Sequence, residues 1–315
     1  MSLKALVPAC ILLLAAAGCS PKTVCCGEIR SDRLDDLVWE NEFSGYRAFG
    51  PALQAKGERA FGYDIFTKSV PHPVLHARYE KALDPGTKAE IRRLRKAGLA
   101  ERADSLHDAV SFHLDHGDGM DSFGVGPTLG CGTAALLDRE GGIVYPWCWE
   151  SAEILENGPK RFKVRLQYSP VEVDGRRVVE RRIITLDKGS RLNRVEIHFD
   201  GLDRPQPLVV GIVVHKENPQ GYRLGADYLA TADLGDRNVG KNGEMYCGVR
   251  FSGTFDKTTF VPLGQPVAGA VGHVLGYTTY VPGTVLTYWF GSAWSKGGVP
   301  DLDAWETLLK QFKKK

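Results

Sequence analysis

A large antiparallel β-sandwich is the fold class this chain predicts. Three observations point to it. Apolar residues alternate with polar ones in run after run, the period of a half-buried strand. Glycine and proline, 36 and 17 of them, break these runs at short intervals. Helix formers gather in two stretches, one before residue 110 and one at the C-terminus. No repeat period is visible, so one domain of many strands with few helices fits best.

The N-terminus reads as a targeting segment. Lys4 precedes an apolar run, Ala5 to Ala17, that is too short to span a bilayer and ends in small residues before Cys19. Small residues before a cysteine resemble the bacterial lipoprotein cleavage box, so residues 1–18 are expected to be a signal peptide and Cys19 a lipidation site. An ordinary secretory signal with an incidental cysteine is the alternative. Either way the mature protein is expected to be exported, and with lipid it is membrane-anchored in the periplasm or outer membrane. Residues 19–34 read as a tether, and 35–315 as a single β-sandwich domain.

A formal charge of +2, without a basic stripe interleaved with aromatics, is not a nucleic-acid-binding balance. The seven cysteines show no C-x-x-C spacing, which speaks against a structural zinc site. Export permits disulfides, so Cys131, Cys148 and Cys247 are either bridged, as in a Cys131–Cys148 pair, or small buried thiols.

In chain order, Leu37 to Trp39, Tyr46 to Phe49 and Phe61 to Phe66 are short β-rich runs. A helical insert follows at about 85–107, with Ile91, Leu94, Leu99 and Leu106 as a modest apolar face. It either closes a sheet edge as a solvated surface or walls the loop after it. Further strands are Arg161 to Tyr168, Val178 to Leu186, Asn193 to Phe199, Leu208 to Val214, Met245 to Phe251, His273 to Tyr280 and Val285 to Phe290. Leu208 to Val214 is apolar on both faces, as a central strand would be. The last stretch is an amphipathic helix, capped by Asp301 or Asp303, with Trp305, Leu308, Leu309 and Phe312 on one stripe.

Chemistry concentrates between Ser111 and Gly132. His113, His116, Asp115, Asp118 and Asp121 fall within nine residues, and glycines at 117, 119, 124, 126, 130 and 132 exclude a long helix or strand. A polar loop of defined shape on a rigid scaffold is where sites are usually built. His116 is the stronger candidate, its D-H-G-D setting giving the ring little apolar cover, with Asp118 or Asp115 fixing its tautomer. A histidine satisfied within a polar turn is the bland alternative. His215, at the end of an apolar strand, and His273, at the start of another, could face the same cleft or be structural. Arg47 could clamp a carboxylate in its fork or pair with Glu40 or Glu42. Tyr288, Trp289 and Trp294, with Lys296, could stack on sugar faces and neutralise an acid, or be core. Trp147 and Trp149 raise the same question. The ligand types from His113 to Asp121 also suit a divalent metal, but they lack the calcium-loop spacing; the primary expectation is no cofactor.

Five motifs together resemble one family: W-E-N-E at Trp39 to Glu42, Y-R-A-F-G-P-A-L at Tyr46 to Leu53, H-x-D-H-G-D-G-M-D at His113 to Asp121, V-G-P-T-L-G-C-G at Val125 to Gly132, and Y-W-F-G-S-A-W-S-K at Tyr288 to Lys296. The family is a domain of unknown function in exported proteins of bacterial polysaccharide-utilisation loci, and the resemblance covers nearly the whole mature chain. It implies an oligosaccharide dehydratase-like activity, eliminating water from a non-reducing-end uronic acid. The run from Asp187 to Phe199 also resembles the supersandwich of galactose mutarotases and several polysaccharide lyases. The lysine-rich helical insert departs from that pattern. With the reaction the resemblance implies, the residue chemistry makes His116, His113, His215 and Arg47 the candidates for β-elimination. Asp118, Asp121, His273, Tyr288, Trp289, Trp294 and Lys296 would bind the oligosaccharide. A mutarotase-like epimerase or glycoside hydrolase, and a non-catalytic glycan-binding lipoprotein, are the alternatives.

Overall fold

The computed structural model describes residues 24–235 and 241–314. The expected leader and Cys19 lie outside them. Among the described residues, three antiparallel sheets combine hairpin neighbours with long-range pairings, such as Gln206–His215 between Cys131–Leu137 and Ala270–Tyr280. The largest runs in the order Tyr222–Leu224, Tyr228–Asp233, Met245–Phe251, Leu286–Trp294, Leu192–Asp200, Arg176–Asp187, Arg161–Tyr168, Trp149–Asn157. Facing it is a second sheet ordered Lys257–Val267, Ala270–Tyr280, Gln206–His215, Cys131–Leu137, Ile143–Val144. Their inner faces supply the main core, with Phe162, Val164, Leu166, Val195, Ile197 and Phe290 against Leu136, Leu208, Val210 and Ile212. This is the β-sandwich the alternation predicts.

The Gln206–His215 strand is buried except at Pro207 because both of its faces are covered. Leu208 and Val210 face the main core, while Val209 joins Leu129, Ala135, Leu137 and Leu275 on the other side. The Arg176–Asp187 strand turns Val178, Ile184 and Leu186 inward at period two, and Glu180 and Arg182 with them. These two pair with each other, and Arg182 also donates to the Tyr63 hydroxyl at 2.8 Å and the Ala134 carbonyl at 3.0 Å. Such partners satisfy a charge that burial would otherwise make costly.

The third sheet is a meander, Cys26–Arg30, Asp36–Glu40, Ser44–Ala48, Asp64–Lys68, Gly119–Met120. Its first strand corrects the expected tether: Cys26–Arg30 pairs in register with Asp36–Glu40, and Cys25 and Cys26 are buried. Trp39 and Tyr46 bind this sheet to the sandwich. They stack with ring centroids 5.6 Å apart, and the Trp39 indole donates to Asn193 at 2.8 Å. Helix Leu75–Leu83, which the sequence leaves unassigned, covers the other face, packing Leu75 and Tyr79 on Val38 and Phe66. The Glu40 carboxylate anchors it by accepting from the Val74 and Leu75 amides and from Lys68. Helices Pro85–Lys96 and Ala100–Val110 follow and pack on each other through Ile91, Leu94 and Ala103.

The C-terminal helix, Leu302–Gln311, is capped by Asp301, whose carboxylate accepts from the Ala304 amide at 2.8 Å. It lies on the outer face of the large sheet, where Trp305 donates to the Cys247 carbonyl at 3.0 Å. A side chain at Gly248 would meet Trp305 and Leu309 at 2.8 Å, so this close approach requires glycine. Cys25, Cys131, Cys148 and Cys247 are buried free thiols, which sets aside a Cys131–Cys148 bridge. Among the described residues, no helix is long and apolar enough to cross a membrane.

Candidate functional site

Sheet three brings Arg47 and Asp64 side by side on adjacent strands, in direct register. Asp121 follows directly on the strand Gly119–Met120, which pairs with Thr67 and Lys68, three and four residues beyond Asp64. The result is a buried arginine among carboxylates. Arg47 donates from one terminal nitrogen to Asp64 and lies 3.1 Å from Asp121 through the same nitrogen. Asp36 sits 3.9 Å away, and the other terminal nitrogen donates to the Tyr79 hydroxyl at 3.2 Å. One cation is thus shared among three anions. The three carboxylates drive the arginine's pKa higher still, yet burial lifts Asp64 to about 7 in spite of Arg47, with the Asp121 charge adding to the rise. Burial likewise lifts Asp36 to about 6. Asp64, which shares the arginine with Asp121, is therefore partly protonated near neutral pH.

This cluster floors a cleft of about 200 Å³, walled by Arg33, Phe49, Glu58, Arg59, His113, Ser122, Phe123 and Val125. His113 donates from Nδ1 to the Asp121 carbonyl at 2.8 Å. That bond places a proton on Nδ1, so in the neutral ring Nε2 is the acceptor. At the rim, Arg59 is exposed, and no carboxylate among the described residues lies within ion-pair distance of it. Sequence reasoning missed Arg59, Arg33 and Asp64; the signal it lacked was pairing across strands, which puts Asp64 beside Arg47 from seventeen residues away.

A larger cavity, about 510 Å³, lies under the C-terminal helix between Trp289, Trp305 and Phe312. It holds no imidazole, and its single carboxylate, Asp187, is paired with Arg161. The imidazole and the buried carboxylates line the smaller cleft instead.

The other expected site residues divide. His215 is buried behind the cleft wall, edge-on to Phe123 at 5.7 Å, and donates from Nδ1 to Asp233 at 2.5 Å. His273 accepts from the Leu129 amide at 3.2 Å, and burial lowers it to about 4, so it is a neutral structural acceptor. His116 is exposed and bonds through Nε2 to the Ser111 carbonyl at 3.1 Å; it braces its own loop instead of facing the cleft. Asp118 does not orient His116. It pairs with Arg78 at 2.8 Å, and Arg78 also holds the Leu114 carbonyl at 2.6 Å, pinning the loop to the helix beneath. Asp115 accepts from the Gly117 and Gly119 amides, so the acidic residues of this loop mostly build its shape. The proposed metal ligands are dispersed in this way, and no group of three or more His, Cys, Asp or Glu among the described residues is placed to hold a metal ion.

The aromatic cluster is core. Tyr288 is fully buried, Trp289 packs under the C-terminal helix, and Trp294 is buried with its indole donating to the Asn242 carbonyl at 2.8 Å. Strand alternation sends these rings to the interior and to the helix layer, so none lines the smaller cleft, and Trp289 lines the larger cavity. Lys296 is half-exposed, 5.5 Å above the Trp294 ring and 4.0 Å from Asp115, outside the cleft lining. Arg47 lines the cleft, but its fork is occupied by Asp64, Asp121 and Tyr79, so it positions carboxylates and does not clamp a substrate. Trp149 is buried, whereas Trp147 is 44% exposed.

Residues 20–315 match the model of a domain of unknown function, DUF4861, and the chain belongs to that family. An uncharacterized protein P7 of Formosa agariphila is 25% identical over 304 residues, which cover 92% of this chain and 67% of that protein. Among solved structures, the heparan sulfate lyase HepC of Pedobacter heparinus aligns with a TM-score of 0.40 at 7% identity, over 85% of this chain and 36% of the lyase. YidC of Thermotoga maritima aligns at 0.36 and 13% identity, over 91% and 58%. A 4-alpha-glucanotransferase of Thermococcus litoralis aligns at 0.36 and 12%, over 85% and 39%. The chain thus spans well under two thirds of each of these solved proteins, and scores of this size transfer nothing from them to it.

Proposed function

We propose that this DUF4861 protein is a carbohydrate-active enzyme that eliminates water, or a glycosidic leaving group, across C4–C5 of the terminal uronic acid of an oligosaccharide. One observation carries the reading: the cleft brings an imidazole that donates through Nδ1 against Asp64, a carboxyl partly protonated near neutral pH, under an arginine that meets no carboxylate at ion-pair distance among the described residues. Elimination needs those three things. His113 Nε2 takes the C5 proton. Arg59, with Arg33 behind it, holds the sugar carboxylate as charge develops on it. The proton held by Asp64, beside Asp121, passes to the oxygen leaving C4. The C5–H and C4–O bonds break, the C4–C5 double bond forms, and water or an alcohol leaves.

Ultraviolet absorbance of the unsaturated product tests this. Wild-type protein mixed with a panel of uronate oligosaccharides is expected to raise it. Anomer exchange seen by NMR without new absorbance would favour an epimerase, and release of a saturated sugar a hydrolase.

The reading includes export and lipidation at Cys19. Labelling of the protein in cells with radioactive palmitate is expected, and its loss in Cys19→Ser; equal labelling of the variant would remove the anchor.

A further inference from the structure

Beyond the cleft, Phe61, Tyr145 and Trp147 form a row of rings on the surface. Phe61 and Tyr145 lie 5.0 Å apart at 30°, and Phe61 and Trp147 6.5 Å apart at 8°. Trp147 is 44% exposed, although tryptophan is strongly buried on average. The row is continuous with the cleft. Phe61 follows Ala60, a cleft residue, and its amide donates to the carbonyl of Gly126, another. A shallow depression lined by Phe61 and Trp147 shares Phe49 and Ala60 with the cleft. The cleft itself holds about 200 Å³, below the range of about 300–1,000 Å³ for sites that enclose a drug-sized ligand. An oligosaccharide seated in it by one end must run out along the surface.

We propose that the Phe61–Tyr145–Trp147 row is a subsite that stacks on a later sugar ring of the oligosaccharide whose terminal uronate occupies the cleft. The assignment rests on the reading of the cleft given above. A pyranose presents a face of C–H groups and a polar rim. Those C–H groups suit the electron-rich face of an aromatic ring. Glu58 and Arg59, within three residues of Phe61, and Glu150, three residues from Trp147, are exposed and offer polar partners for sugar hydroxyls. Arg59 also belongs to the cleft, so one residue reaches both positions.

Trp147→Ala, Trp147→Phe and wild type are compared on a uronate disaccharide and its tetrasaccharide, by turnover and, in the His113→Gln background, by calorimetric binding. Trp147→Ala is expected to raise KM and Kd for the tetrasaccharide about five- to tenfold, to leave kcat and the disaccharide values alone, and Trp147→Phe to recover most of the loss. Equal effects on both lengths, or none on the tetrasaccharide, would overturn the subsite. Tetrasaccharide binding that depends on Trp147 without turnover in wild type would uphold the subsite and sink the elimination reading. Turnover insensitive to Trp147 would do the reverse.

Discussion

His113 and His116 are three residues apart and have opposite fates. His113 lines the cleft with its Nδ1 tied to a carbonyl, and His116 is spent on Ser111 in the loop that carries it. His113→Gln is expected to lower kcat by about 10²–10⁴, the usual worth of a positioned base, with KM little changed. His116→Ala should leave kcat unchanged. Arg59→Ala should raise KM about tenfold or more, since a charge-assisted hydrogen bond to the substrate carboxylate is lost. The acid role requires Asp64 to keep its proton, so kcat/KM should fall as pH rises above about 7. Stability has its own sign. Asp36 and Asp64 bind protons more tightly folded than at their unfolded value of 3.8, so their contribution is full below that value and is lost as pH rises through about 6 and 7. His273, lowered from 6.5 to about 4, acts oppositely below 6.5. Above that point only the carboxylates act, so Tm should decline from pH about 6.5 to 8, and Asp64→Asn should flatten the decline.

Elements that bury one face were legible from their period. The Arg161–Tyr168 strand places Phe162, Val164, Leu166 and Tyr168 inward as the alternation requires. The C-terminal helix was legible from its stripe and cap. Asp301→Ala should cost about 1 kcal/mol through the lost cap. Trp305→Ala should cost about 3–5 kcal/mol, since it opens a hole against the sheet and removes the indole bond to the Cys247 carbonyl. Thermal or denaturant unfolding measures both. What the period could not show is which layer a buried ring faces. Trp289 and Tyr288 are neighbours on one strand, and alternation sends one under the helix and the other into the sandwich. Neither destination is written in the local sequence. Helix Leu75–Leu83 was missed because its start depends on Glu40, thirty-four residues upstream, which accepts from the Val74 amide in place of a local cap.

At the scale of the molecule, the sandwich is a support for sheet three, and sheet three assembles the cleft. Arg47, Asp64 and Asp121 meet only after its strands pair, so the sequence shows three scattered polar residues where the fold makes one charged cluster. Loop residues drew attention because they are dense in chemistry, yet most of that chemistry holds the loop in shape. The core closes without disulfides among Cys25, Cys131, Cys148 and Cys247. These thiols should resist a thiol reagent in native buffer and react on unfolding.

Ultraviolet absorbance, followed while wild type, His113→Gln and His116→Ala are each mixed with the uronate panel, tests the cleft most directly. Unsaturated product from wild type and His116→Ala, and none above background from His113→Gln, is the predicted result. Equal product from His113→Gln, or no product from wild type, would contradict it.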